Sequence, residues 1–288
     1  VAALKCRFAA ITLWWTFTER GVRRRVLNLE NATLYGNSGL SDHHILVIGG
    51  AGYIGSVFCR HLLDQGYRVR VLDSLVWSNG EALIGLADHP NFELVVADMR
   101  DSRSLRKSLE GVTAAVILAG LVGDPITKKF PKEAEAVNLE GIRVVVKEVL
   151  SSDVRRIVFA STCSNYGLQS DGQVATEDTP LAPLSLYAKH KVMIERELLD
   201  MSASVDPDLA VLRFATAFGM SPRMRLDLTI AHFCRDAVLD REIEIYDANT
   251  WRPYCHVVDL ARAMQLVLAE RTEKVRGQVF NVGSNANN

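Results

Sequence analysis

The segment that most constrains this chain is Gly49-Gly50-Ala51-Gly52-Tyr53-Ile54-Gly55, set between an apolar strand-like run and an amphipathic stretch. Glycines at 49, 52 and 55 permit a tight turn, a close backbone approach to a pyrophosphate, and close packing of the next helix on the strand. Phosphate at such a helix start meets free N–H groups and the positive end of the dipole. A glycine run alone is weak evidence, because many loops are rich in glycine. Here the flanking order is strand then helix, and an acid, Asp73, closes the second strand. A carboxylate there accepts hydrogen bonds from both ribose hydroxyls and repels a 2′-phosphate, so NAD is expected rather than NADP. Asp98, after the third strand, is placed either to bond the adenine amino group or to cap the following helix.

Apolar runs suited to strands occur at 45–48, 68–72, 92–96, 114–118, 156–159 and 209–214, separated by helix-like segments at 53–65, 101–109, 131–150 and 184–202. Strands rich in Val, Ile and Leu with little alternation are those covered on both faces. Their alternation with helices implies right-handed crossovers and an α/β, doubly wound parallel sheet of the Rossmann kind. After Phe214 the rhythm changes: a helix is expected at 228–239 and a strand at 242–246, before alternation resumes with a helix at 258–270 and a strand at 278–282. The expected division is an N-terminal extension, 1–42, outside the core; a cofactor-binding domain, 43–215 plus 252–282; and a smaller, apparently truncated C-terminal substrate lobe, 216–251 plus 283–288.

Bulk properties narrow the class. The chain has 288 residues, 48% of them apolar, and a net charge of −1. That balance gives no reason to expect nucleic acid or an anionic membrane as partner. Five scattered cysteines, odd in number and without C-x-x-C spacing, argue against a disulfide framework or a zinc site, and fit a reducing cytoplasm. Near the start, Lys5 and Arg7 precede an apolar run from Phe8 to Phe17, which is too short to span a bilayer. Arg23, Arg24 and Arg25 follow it, so the segment reads as an extension and not as a secretion signal.

Two further segments carry chemistry. Tyr187-Ala188-Lys189-His190-Lys191 opens a helix, and residues four apart share one helical face. A phenol titrates near 10, so acting as a base at neutral pH requires lowering its pKa by roughly 3 units. A nearby ammonium and the positive nicotinamide of NAD⁺ both push in that direction. Phe159-Ala160-Ser161-Thr162-Cys163-Ser164-Asn165-Tyr166-Gly167 ends the fifth strand, where a doubly wound sheet presents its ligands. A hydroxyl there can share the reacting proton with Tyr187. His190 and His256 lack carboxylate or metal-ligand spacing and read as structural, and no metal site is expected.

With these motifs in place the chain resembles the extended short-chain dehydrogenases/reductases, within the NAD-dependent nucleotide-sugar epimerase/dehydratase family, over roughly residues 45–283. The resemblance implies that Gly49, Gly52 and Gly55 hold the pyrophosphate, and counts Tyr53 and Ile54 among the cofactor residues. It assigns Asp73 to the adenosine ribose, Asp98 and Met99 to the adenine side, and Ala119 and Gly120 to the cofactor's flank. Asn138 matches a helix asparagine that organises the active site and is counted among the cofactor residues. Tyr187 becomes the acid/base and Lys191 its partner on the nicotinamide ribose. Counting back from Tyr166 puts the family's Ser/Thr at Thr162, with Ser164 as the alternative. Thr162, Cys163, Ser164 and Arg252 are then expected at the substrate, Arg252 on its diphosphate. Arg223 and Arg225 are further candidates for that diphosphate. Cys163 reads as packing, although some relatives use a cysteine nearby for proton transfer at carbon.

The expected chemistry is transient oxidation of a sugar by NAD. In the family's 4,6-dehydratases an Asp-Glu pair directly follows the catalytic threonine; here Cys163 and Ser164 stand there, which favours a 4-epimerase over a dehydratase. Decarboxylase and reductase reactions stay open, as does a non-catalytic NAD-binding role. Thr216 stands where family 4-epimerases often carry asparagine. A nucleotide-diphosphate sugar is the expected substrate and a homodimer the expected assembly, through a helix pair that includes the Tyr187 helix.

Overall fold

The central apolar runs become strands buried on both faces of one sheet, over 44–48, 114–117, 156–162 and 208–214, where every position is buried. The computed structural model describes residues 43–169, 174–245 and 251–283. The first strands and helices are β1 (His44–Ile48), α1 (Tyr53–Asp64), β2 (Arg68–Asp73), β3 (Phe92–Val96), α2 (Ser102–Leu109), β4 (Ala114–Ile117), α3 (Asp124–Lys129), α4 (Pro131–Glu135) and α5 (Ile142–Leu150). They are followed by β5 (Arg156–Thr162), α6 (Leu186–Met201), β6 (Asp208–Phe214), β7 (Thr216–Phe218), α7 (Thr229–Val238), β8 (Tyr254–His256), α8 (Val257–Ala269), α9 (Thr272–Val275) and β9 (Gln278–Val282). Seven strands form a sheet in the order β3-β2-β1-β4-β5-β6-β9, all parallel.

Two apolar layers cover the sheet. On one face Phe58, Cys59 and Leu62 of α1 and Leu260, Met264 and Val267 of α8 pack on Val47, Val69, Val116, Val158 and Leu212. On the other, Leu105 of α2, Val145 and Val149 of α5, and Ile194 and Leu198 of α6 pack on Leu46, Ile117, Ile157 and Val211. The alternate residues of each strand serve opposite layers, as the pleat requires.

Three departures from the sequence pattern bear on the site. The helix expected at 131–150 is interrupted by a π turn, Ala136–Gly141. Such wide turns often mark functional positions, and this one holds Asn138, whose amide grips the backbone of Leu121. No strand forms over 242–245, and position 246 lies outside the described residues. The Glu-Ile-Glu-Ile alternation there has no covered face: Ile243 and Ile245 are both exposed. In its place β7 and β8 form a short parallel sheet that crosses the expected division at residue 216. The extension 1–42 lies outside the described residues, as do 284–288.

Phe58 is fully buried between α1 and the sheet. Phe58→Ala should lower the unfolding free energy by about 3–5 kcal/mol, read from urea denaturation.

Candidate active site

Strand order reverses between β1 and β4, and ligands of open parallel sheets bind where the strands' carboxyl ends diverge at that point. A cleft of about 2420 Å³ opens there. A single small-molecule pocket holds roughly 300–1,000 Å³, so there is room for two nucleotide-sized ligands side by side.

The glycine turn forms one wall. Gly49 sits at φ +88, and a Cβ on Gly55 would collide with the Gly49 carbonyl and come within 2.8 Å of Gly50 Cα. No side chain caps the start of α1, which leaves its first N–H groups to an anion. Asp73 braces the turn, Oδ2 accepting from Ala51 N–H at 3.0 Å and Oδ1 from Leu75 N–H at 2.9 Å. Asn79 braces it from the other side, Nδ2 donating to Ala51 O at 2.9 Å. Nothing in the sequence pattern singled Asn79 out, because its partner is a backbone carbonyl reached only after folding.

Further along this wall Asp98 is forked to Arg100, with contacts from 2.7 Å, and Arg100 reaches Glu133 at 2.9 Å. The Arg100 guanidinium holds the Asp98 carboxyl below its ordinary range. Asp98 is not the cap of α2; that is Asp101, accepting from Arg103 N–H at 3.1 Å. Met99, Ala119 and Gly120 also line the cleft. Asn138 does not. It is buried behind the wall, accepting from Leu121 N–H at 2.8 Å and donating to Leu121 O at 2.9 Å, so it shapes the loop after β4 instead of touching a ligand there.

The catalytic candidates converge on the adjoining wall. β5 runs past its expected end because its ladder with β6 continues to the pair Thr162–Phe214. That extension carries Thr162 to the cleft, where its hydroxyl accepts from Ser164 N–H at 3.2 Å and caps the turn Cys163–Tyr166. Ser185 caps α6, accepting from Ala188 N–H at 3.2 Å, which sets Tyr187 in the first turn and Lys191 one turn later. Lys191 Nζ donates to Ala160 O at 2.7 Å and lies 4.5 Å over the Phe159 ring and 5.9 Å from the centre of the Tyr187 ring. Thr162, Cys163, Ser164, Tyr187 and Lys191 all line the cleft.

Electrostatics at this wall differ from the simple expectation. Burial pushes the Tyr187 phenol above its ordinary value, with Cys163 and Asp124 adding to the rise and Arg225 opposing it. Burial lowers the Lys191 ammonium to about 7, so at neutral pH it is only partly charged and its pull on the phenol is reduced. Burial also raises the Cys163 thiol, against the pull of Arg252, which keeps it protonated. His190 is buried with its charged form disfavoured, and His256 caps α8, accepting from Val258 N–H at 3.3 Å. The cap gives His256 a structural role.

A buried polar network backs the constellation. Glu195, one turn past Lys191, forms an ion pair with Arg213 and accepts from Ser161 Oγ at 2.9 Å and Asn165 Nδ2 at 3.1 Å. Arg213 donates to Tyr166 OH at 2.7 Å, and Tyr166 donates to Asn281 at 2.6 Å. The i+4 spacing of Lys191 and Glu195 was the one sequence sign of it.

Arg252 reaches the cleft because Thr216 N–H bonds Pro253 O at 3.0 Å as β7 meets β8. Arg223 and Arg225 line the same end, Arg225 forked to Asp227 at 2.5 and 2.7 Å. Among the described residues no group of three or more His, Cys, Asp or Glu could hold a metal, and no helix is long and apolar enough to cross a membrane.

A parallel sheet with an uncapped glycine turn and a Thr–Tyr–Lys wall defines a dinucleotide-binding enzyme. The sequence profile of the NAD dependent epimerase/dehydratase family matches residues 45–283, and the chain belongs to that family. Among similar proteins is the low-salt glycan biosynthesis protein Agl12 of Haloferax volcanii, 33% identical over 246 residues, covering 83% of this chain and 76% of that protein. The UDP-glucose 4-epimerase of Bacillus subtilis is 29% identical over 263 residues, covering 83% and 77%. The dTDP-glucose 4,6-dehydratase DesIV of Streptomyces venezuelae, solved with NAD bound, superposes with a TM-score of 0.75 at 28% identity, covering 83% of this chain and 75% of that one. The chain is accordingly an NAD-dependent enzyme of the epimerase/dehydratase family, and NAD is its cofactor.

Lys191 gives a test of sign. Its folded value, about 7, lies below that of an unfolded lysine, near 10.4, so the unfolded chain binds more protons between the two. Burial of the charged ammonium therefore costs stability fully below pH 7, and the cost fades as pH rises towards 10. Lys191→Met should flatten that part of the stability–pH curve and stabilise the protein at pH 7 by on the order of 2 kcal/mol, measured by chemical denaturation.

Proposed function

We propose that the chain is a nucleotide-sugar 4-epimerase, with Tyr187 as acid/base, Thr162 sharing the reacting proton and Lys191 orienting the nicotinamide ribose. The observation that carries this reading is the convergence of Thr162, Tyr187 and Lys191 on one wall of a cleft that also holds the glycine turn. In this reading Gly49, Gly52, Tyr53, Ile54 and Gly55 hold the pyrophosphate, and Asp73 holds the adenosine ribose. Asp98 and Met99 face the adenine, while Ala119 and Gly120 flank the cofactor. Asn138 acts behind them as a positioning residue.

Bound NAD would supply a hydride acceptor at this wall. The protein's part is proton control and orientation. Tyr187 takes the proton of the sugar hydroxyl as hydride leaves that carbon, and gives the proton back after the keto sugar has turned over in the site. Arg252 holds the diphosphate while the sugar turns, with Arg223 beside it. The residues after Thr162 support epimerisation over dehydration. The protonated thiol of Cys163 and the hydroxyl of Ser164 lack the acid/base strength that elimination of water requires. The Bacillus subtilis relative, a UDP-glucose 4-epimerase, makes UDP-sugars the first substrates to try.

The substrate side in this reading is 216–251 together with 283–288, set on a cofactor domain of 43–215 plus 252–282. Outside the cleft a groove lined by Val146, Leu150, Ile194, Leu198 and Met201 lies between α5 and α6. This apolar seam supports a homodimer built on that helix pair. Cys59, Cys163, Cys234 and Cys255 are all unpaired, which fits a reducing, cytoplasmic setting.

The purified protein should interconvert the C4 epimers of a UDP-, dTDP- or GDP-hexose, followed by NMR, with no net accumulation of NADH. Tyr187→Phe should lower turnover by about 10²–10⁴-fold, the usual contribution of a positioned acid/base. A 4-keto-6-deoxy product would assign the dehydratase reaction instead. Cofactor binding without turnover of any sugar, unchanged by Tyr187→Phe, would assign a non-catalytic role.

A further inference from the structure

The chain leaves β2 through a strained turn. Leu75 and Ser78 both sit in the left-handed region, at φ 51 and φ 52, and neither is a glycine. Ordinary residues are uncommon there, and such strain collects at sites that clamp ligands. Bonds on both sides hold the turn in this shape. Leu75 N–H donates to Asp73 Oδ1 at 2.9 Å, Ser78 N–H to Leu75 O at 2.9 Å, and Asn79 Nδ2 to Ala51 O at 2.9 Å. The Leu75 side chain packs against the core and Asn79 is buried. Between them Val76 and Trp77 are 70% and 54% exposed. The strained backbone thus carries an indole outside the core instead of burying it.

That indole stands on the cofactor side of the cleft. Val76 and Trp77 line it together with Asp73 and, from the segment after β3, Asp98 and Met99. Because β2 and β3 are paired, with Asp73 beside Val96, the segments leaving the two strands are neighbours. Two features suit the adenosine half of NAD. An indole offers a broad π-face, and a purine stacks on such a face with little demand on its edges. Asn79, also in the cleft lining, has a buried Oδ1 with no donor among the described residues. An asparagine at a helix start ordinarily caps it with that oxygen, but Asn79 makes no such bond to the turn Gly80–Leu86. A ribose hydroxyl is a donor of the kind it lacks, and both oxygens of Asp73 already accept a backbone N–H.

We propose that Trp77 is the stacking surface for the adenine of NAD, presented to the cleft by the strained turn 75–79. Covering the indole with a purine removes apolar area from water on both partners, which drives the contact. The proposal rests on the assignment of this side of the cleft to adenosine, and is independent of which sugar reaction follows.

The experiment is isothermal titration of the full chain with NAD and with ADP-ribose, which carries the adenosine half alone. Trp77→Ala should raise the Kd of both about tenfold, in line with the loss of one base–aromatic stack. Trp77→Phe, which keeps a ring, should stay within about threefold of wild type. ADP-ribose should quench the indole emission of the wild-type chain, and Trp77→Phe should abolish that quench. Should Trp77→Ala fail to fold, the Phe variant decides: its quench is lost, or its persistence overturns the proposal. ADP-ribose affinity unmoved in Trp77→Ala but weakened in Asp73→Ala overturns the role of Trp77 and leaves the adenosine assignment intact. Affinity unmoved in both variants removes adenosine from this side of the cleft, and the proposal with it.

Discussion

The hydrogen bond from the Lys191 ammonium to the Ala160 carbonyl fixes where α6 lies along β5, and the rest of the site takes its spacing from that contact. Glu195 repeats the contact one turn further on, at Ser161. Two bonds at i and i+4 on one helix, to successive residues of one strand, remove both sliding and rotation. Tyr187 and Thr162 are therefore brought to the same wall by rigid elements and not by a loop. Burying the ammonium is unfavourable, and the bond to the Ala160 carbonyl offsets part of that cost.

The glycine wall is organised by a similar economy of contacts. Asp73 accepts from the N–H of Ala51 and Asn79 donates to its carbonyl, so the backbone of the turn is held on both sides of that residue. Since α1 packs against α8 and its first turn is bound to residues 219–221, the cofactor wall and the far end of the cleft are parts of one bonded frame.

Much of this was legible in the sequence because it rests on local periodicity. The parallel sheet followed from seven apolar runs, and the strand–glycine–helix order placed the cofactor turn. Tyr187 and Lys191 were readable because a spacing of four fixes a shared helical face. What could not be read depended on distant partners. The strand expected at 242–246 has the right alternation but no buried face over its described residues. The π turn around Asn138 exists because that amide has a loop to hold, a fact absent from the helix's own pattern. Asn79, the Glu195–Arg213 pair and the Tyr53–Gly219 bond join residues far apart in sequence. The burial of Lys191 was hidden for the same reason: spacing gives its neighbour on the helix, but only the fold gives its surroundings.

The central claim is that hydride leaves and returns to one sugar carbon while Tyr187 handles only the hydroxyl proton. Running the reaction in D₂O and locating deuterium in the sugar tests it directly. Epimerised product with no deuterium bonded to C4 is expected, because the hydride never exchanges with solvent. One deuterium at C4 per turnover would mean that the carbon itself is deprotonated, and would contradict the mechanism.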